Sequence, residues 1–185
     1  MTTASSDSSK SPFPGVRRVI TGHTPSGDAI TIRDEAQPPQ SWSPADSSVF
    51  YNLYRSDETP ALNNAEFSKE GWVDLIAGYS GLEGLVSRNG SVFRSFDLAP
   101  GAVSAFHRTH SLDYGIVNKG TIVLQLDNGK RVTLNEGDVV VQRGTIHTWR
   151  NESTEWARIY FILLDAHPVT VNGEKLPEEW KEATA

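Results

Sequence analysis

Between Gly101 and Asn151 the sequence gathers three of its five histidines, His107, His110 and His147, with Asp113 among them. Imidazole and carboxylate are the side chains that hold a transition metal or move a proton, and the spacing decides which of them can meet. In an extended strand, residues two apart share a face. On that rule Ala105, His107 and Thr109 point one way and Phe106, Arg108 and His110 the other. Asp113, Gly115 and Val117 share a second face, and His147 and Trp149 a third. If these segments are strands of one barrel, its interior collects His107, Asp113, His147 and Trp149. Two imidazoles and one carboxylate form a facial triad with open positions, an arrangement suited to Fe(II) that binds substrate or dioxygen beside its protein ligands.

Each of these residues also has a plainer reading. His107 and His147 read as metal ligands against the alternative of hydrogen-bonded core histidines. Asp113 is a ligand or a cap of the Ser111-Leu112 corner. His110 enters the pocket only if a β-bulge rotates the segment around it; otherwise it faces outward or supports the site. It is a catalytic candidate all the same, since His110 or His147 could act as general base in a metal-free enzyme. Trp149 is core, or an apolar wall for an aromatic substrate and so a second catalytic-site candidate. Arg143, with Arg150, could clamp a substrate carboxylate or enolate, against the usual fate of a solvated arginine. Tyr51, Tyr54 and Tyr79 are packing residues or phenolic acids, and His23 and His167, beside loops, have no role.

The composition narrows the chemistry. With no cysteine in 185 residues, disulfides, thiolate catalysis and cysteine-held metals are excluded, so any metal rests on histidine and oxygen. A formal net charge of -6 argues against nucleic acid or an anionic membrane as partner and for a small molecule. No apolar run approaches the roughly 20 residues of a membrane span. Residues 1–14 lack both the basic start and the apolar core of a secretory signal and read as a disordered, cytoplasmic leader.

Short strands must position the site. Residues 15–90 begin with two strands joined by a Pro/Gly turn, VRRVITGH and AITIR, an arm that packs on the main sheet or on a second subunit. SSVFYNLYRSD is another strand, and the irregular stretch after it, with a short helical turn, reads as a lid or packing flap. From residue 91 to 168 short strands follow one another at the spacing of an all-β sandwich or barrel. Ile122, Leu124 and Leu126 share one face of a strand that turns at Asp127-Asn128-Gly129. DVVVQ and WARIYFILL are nearly continuous apolar strands, which predicts burial on both faces. In residues 169–185 a strand, VTV, and an Asn172-Gly173 turn lead to LPEEWKEA, a short C-terminal helix with Pro177 and glutamates in its first turn.

The sequence resembles the cupin superfamily over residues 91–165. Gly101, His107 and Gly120 fall at the spacing of the first cupin motif, and Gly137, the Gly144–His147 turn and Asn151 follow the second. Thr109 stands where the family has a second histidine, Asp113 where it has glutamate, and Arg143 where it has proline. The pattern is similar to that of small single-domain cupins of fungal polyketide pathways, several of them described as cupin-domain oxidoreductases. The resemblance implies a jelly-roll β-barrel holding a divalent metal, Fe2+ first, with Zn2+, Mn2+ or Ni2+ as alternatives. The expected activity is a metal-dependent oxidoreductase acting on an oxygenated aromatic or polyketide-like small molecule in secondary metabolism. A lyase, decarboxylase, isomerase or cyclase on the same scaffold is the first alternative, and a non-catalytic small-molecule-binding cupin the second. Likeness to small cupins also implies a homodimer, with a monomer as the other outcome.

Overall fold

The computed structural model describes residues 11–43, 46–63, 72–79 and 85–181. β1 (Arg17–His23) and β2 (Ala29–Ala36) form an antiparallel hairpin. Val16 packs with Tyr51 and Leu53 of β3 (Val49–Ser56), so the arm lies on the main body. Arg18 fastens it there: its guanidinium donates to the Leu53 carbonyl at 3.1 Å and pairs with Glu35 at 2.6 Å and with Asp74.

The body is all β, two five-stranded antiparallel sheets. One runs in the order β3, β4 (Ser91–Leu98), β11 (Ala157–Asp165), β6 (Ser111–Lys119), β9 (Val139–Arg143). The other runs β14 (Glu179–Lys181), β5 (Phe106–Arg108), β10 (His147–Arg150), β7 (Ile122–Leu126), β8 (Arg131–Leu134). β12 (Thr170–Val171) and β13 (Glu174–Lys175) form a separate small hairpin, with the expected Asn172-Gly173 turn at φ 52° and 85°. The core is made of inward residues of both sheets, among them Phe50, Val92, Leu98, Val117, Ile122, Trp149 and Ile159. The alternation in β6 is clean: Ser111, Asp113, Gly115 and Val117 are buried, while Tyr114 and Ile116 face out. Gly120 turns the chain at φ 74°, where a Cβ would stand 2.8 Å from the Trp156 carbonyl, so this motif glycine answers two steric demands together. Among the described residues no helix is long and apolar enough to cross a membrane.

Four expectations are corrected. The C-terminal helix is absent over Glu179–Lys181, which pair as a strand with β5 in the register Glu179↔Arg108, Trp180↔His107, Lys181↔Phe106. Helix-start signals are worth tenths of a kcal/mol to about 1 kcal/mol each, and an open strand edge outweighs them. β9 is not buried on both faces: Val139 and Val141 are 61% and 53% exposed, because β9 ends its sheet and none of the described residues covers its outer side.

Third, residues 11–14 of the expected leader are held in place. Arg158 and Asp97, opposed on β11 and β4, form a buried two-pronged ion pair at 2.5 and 2.7 Å. Phe13 and Tyr51 place their rings 5.1 and 5.2 Å from the Arg158 guanidinium carbon, the Pro14 carbonyl accepts from Nη1 at 3.1 Å, and Ser11 donates to Asp97 at 2.6 Å. A buried ion pair needs its spare lone pairs and protons satisfied, and residues 11–14 supply that. The other ten residues of the leader lie outside the described part, as does much of the flap; in place of a helical turn, residues 75–78 form plain turns closed by the Ala77 N–H on the Asp74 carbonyl and the Tyr79 N–H on the Ile76 carbonyl.

Candidate functional site

The space between the sheets opens into a cavity of about 770 Å³. β5 and β10, adjacent in one sheet, carry His107 and His147 at directly opposed positions, and both line this cavity with Thr109 and Trp149. Asp113 enters it from β6 in the other sheet. The strand alternation predicted from sequence therefore holds for His107, Thr109, Asp113, His147 and Trp149.

The imidazole centroids are 4.3 Å apart. His107 Nδ1 lies 2.9 Å from the Ala105 carbonyl and His147 Nδ1 3.0 Å from the Thr145 carbonyl. A carbonyl only accepts, so in both rings Nδ1 carries the proton and Nε2 keeps its lone pair, the form a metal requires. Burial lowers the pKa of His107; burial first and the neighbouring His107 second bring His147 down to about 3. Both rings are thus neutral at physiological pH. Trp149 stands edge-on to His147 at 5.3 Å and 5.1 Å from Phe161; it belongs to the core cluster and also lines the cavity.

Asp113 departs from the predicted triad. Among the described residues no three His, Asp or Glu side chains stand close enough to hold one ion, so His107, Asp113 and His147 share a cavity without forming a compact ligand set. The physical reason is reach: Asp113 projects from the opposite sheet on a side chain one methylene shorter than glutamate. Burial raises its pKa to about 6, against the opposing pull of Ser111 and the Arg94 charge. Among the described residues its Oδ1 has no hydrogen-bond partner. The residues that could offer donors to a metal are thus the two imidazoles, with Asp113 lining the same cavity.

The other candidates lie elsewhere. His110 faces a smaller cavity of about 220 Å³, where its Nε2 donates to the Leu176 carbonyl at 3.0 Å and its backbone N–H to Glu178. No bulge turns it into the main cavity, so the C-terminal segment takes up its ring. Arg143, opposite Leu112 at the end of β9, is exposed on the outer face and lines neither cavity. Arg150 pairs with Glu152 at 3.2 Å. Tyr51 lies beside Arg158, and Tyr79 is in the core. The motif residue Asn151 is structural: wholly buried, it donates to the Leu98 and Glu155 carbonyls at 3.0 and 2.8 Å.

Two site residues escaped the sequence reading. Trp180 of β14 stacks on His107 at 4.9 Å and 13° and forms part of the cavity wall. Its local sequence reads as a helix start, so only the long-range pairing reveals it. Arg94 of β4 also lines the cavity, 3% exposed. The sign was present: in Val92, Arg94, Phe96, Leu98 a cation occupies one place in an alternating apolar face.

The comparisons agree with this architecture. Residues 94–163 match the family described as Cupin domain. The chain is 35% identical over 172 residues to oryzines biosynthesis cluster protein J of Aspergillus oryzae, covering 92% of this chain and 94% of that protein. It is 39% identical over 166 residues to phomopsin biosynthesis cluster protein D of Diaporthe leptostromiformis, covering 86% and 83%. A cupin-domain-containing oxidoreductase of Hypocrea virens is 35% identical over 167 residues, covering 87% and 83%. Among solved structures, a Cupin 2 conserved barrel domain protein from Salinispora arenicola is 30% identical over 41% of this chain and 64% of that one, with a TM-score of 0.38. The motif spacing, the facing sheets and relatives matched along nearly their whole length agree: the chain belongs to the cupin family.

Proposed function

We propose that this chain is a metal-dependent cupin oxidoreductase acting on an oxygenated aromatic or polyketide-like small molecule of secondary metabolism. The observation that carries the reading is the His107–His147 pair, two buried neutral imidazoles with free Nε2 lone pairs at the wall of a largely apolar cavity. Relatives named for fungal biosynthesis clusters, or as cupin-domain oxidoreductases, support the pathway and the reaction class. Bound through the two imidazoles, a divalent ion, Fe2+ first, would supply Lewis acidity toward a substrate oxygen and, as iron, one-electron chemistry. The chain's own residues do the rest. Trp149 and Phe161 offer flat apolar surface to an aromatic ring, and Trp180 shields the outer side of His107. Asp113, poised by burial near the middle of the pH range, can accept or give a proton to a substrate oxygen between the sheets.

The test is metal analysis of the protein as purified, beside His107→Ala and His147→Ala. The wild type is expected to carry close to one equivalent of a divalent metal, and each variant to lose it by at least about tenfold in affinity. Equal metal content in all three overturns the site. A second reading, a non-catalytic small-molecule-binding cupin, is favoured by the lack of a compact three-residue ligand set among the described residues. Ligand binding indifferent to chelator, with no turnover, selects it.

A further inference from the structure

The cavity holds an unsettled charge. Arg94 is 3% exposed; the Tyr79 hydroxyl is its nearest polar neighbour, and among the described residues no carboxylate closes an ion pair or a well-formed hydrogen bond on any of its three guanidinium nitrogens. Burial lowers its pKa, opposed by Tyr79 and more weakly by Asp113. A guanidinium so placed keeps its proton at neutral pH all the same. Its carbon lies 5.8 Å from the Phe50 ring centre, a contact that steadies the cation without using any in-plane N–H. Asp113 does not satisfy it, since Asp113 Oδ1 is itself without a partner. Elsewhere in this fold a buried arginine has an anion of its own: Arg158 pairs with Asp97 and adds a carbonyl and two rings. Arg94 differs in lining the large cavity. A buried cation with a neutral phenol but no anion beside it is costly to a fold, and the species that relieves it most fully is a planar anion matching the guanidinium fork.

We propose that Arg94 anchors an anionic subsite in this cavity that takes the carboxylate of an apolar, aromatic acid. Phe96, Trp149, Phe161 and Leu163 form the apolar walls beside it. The His107–His147 pair is in the opposite sheet, so a substrate held at Arg94 by its carboxylate spans the barrel and presents its far end to the imidazoles. The inference names the substrate class of the site proposed above and rests on that site being a small-molecule pocket. It does not require the metal.

The test is calorimetric titration of the full chain, as purified and after chelator treatment, with 1-naphthoate and with 1-naphthamide, which match in shape and differ in charge. The wild type is expected to prefer the acid by at least about tenfold in both preparations, the scale of a charge-assisted hydrogen bond. Arg94→Gln should bring the two affinities within about twofold by weakening the acid alone. Arg94→Lys, which keeps charge but loses the fork, should retain part of the preference and serves if the glutamine variant does not fold. Exposed Arg143→Gln should leave it intact. No preference in the wild type overturns the anchor, as does full preference in Arg94→Gln or Arg94→Lys, or equal loss in Arg143→Gln. His147→Ala separates the two readings. Preference lost there and kept in Arg94→Gln overturns the anchor and leaves the metal site standing. Preference kept in wild-type protein that carries no metal as purified and takes up none on addition overturns the metal site and leaves the anchor standing.

Discussion

His107 and His147 stand opposite each other on neighbouring antiparallel strands, their rings 4.3 Å apart and each fixed by a carbonyl two residues earlier, just before its strand begins. The pair is thus built by backbone register, and its orientation needs no other side chain. What it does need is that both rings stay neutral.

That requirement predicts an acid-sensitive fold in the metal-free protein. With a folded pKa of about 3 against 6.5, His147 takes up its proton more readily when unfolded, so stability falls as pH drops from about 6.5 toward 3. The lowered pKa of His107 acts in the same direction. Asp113, raised to about 6 from 3.8, acts oppositely: the folded state holds its proton more tightly, and stability falls as pH rises through that window. The imidazole effect involves two groups and is the larger. Thermal melts of chelator-treated protein should show a lower Tm at pH about 4.5 than at about 7, and His147→Gln should flatten the difference. An unchanged slope in that variant would show that His147 titrates freely.

The Asp97–Arg158 pair gives a prediction about stability alone. Both side chains are buried, at 0% and 6% exposure. Asp97→Asn leaves the guanidinium with one neutral partner, and denaturant unfolding should show a loss of about 3–5 kcal/mol. Binding of small molecules in the cavity should persist at temperatures where the variant remains folded.

The outer face of β6 and β9 predicts association. Tyr114 and Ile116 stand opposite Val141 and Val139, and all four are at least a third exposed. We propose a homodimer in which a second copy covers this face. Light scattering should give twice the chain mass, and Val141→Lys should shift it toward monomer; a wild-type monomer at concentrations of tens of micromolar refutes the dimer.

How much of this could be read from the sequence depended on whether the deciding contact was local. Facing follows from alternation, so His107, Asp113, His147 and Trp149 were legible as one interior. Distance between facing sheets has no such signature, and Asp113 stayed out of the ligand set for that reason. His110 and Arg143 were judged by residue type and motif position, whereas their fates were set by Leu176 and by the end of β9. Arg94 was visible as a cation in an apolar alternation but had no partner residue nearby in sequence to draw notice. The segment around Trp180 carries strong helix-start chemistry, yet a strand seventy residues earlier had an edge to fill.

That edge has a consequence for handling the protein. Trp180 of β14 rests on His107, so the wall of the cavity is upholstered in part by the final strand of the described residues. Clipping after Leu176, or fusing a bulky partner just beyond β14, would disturb the chamber's doorway while the barrel behind it kept its shape.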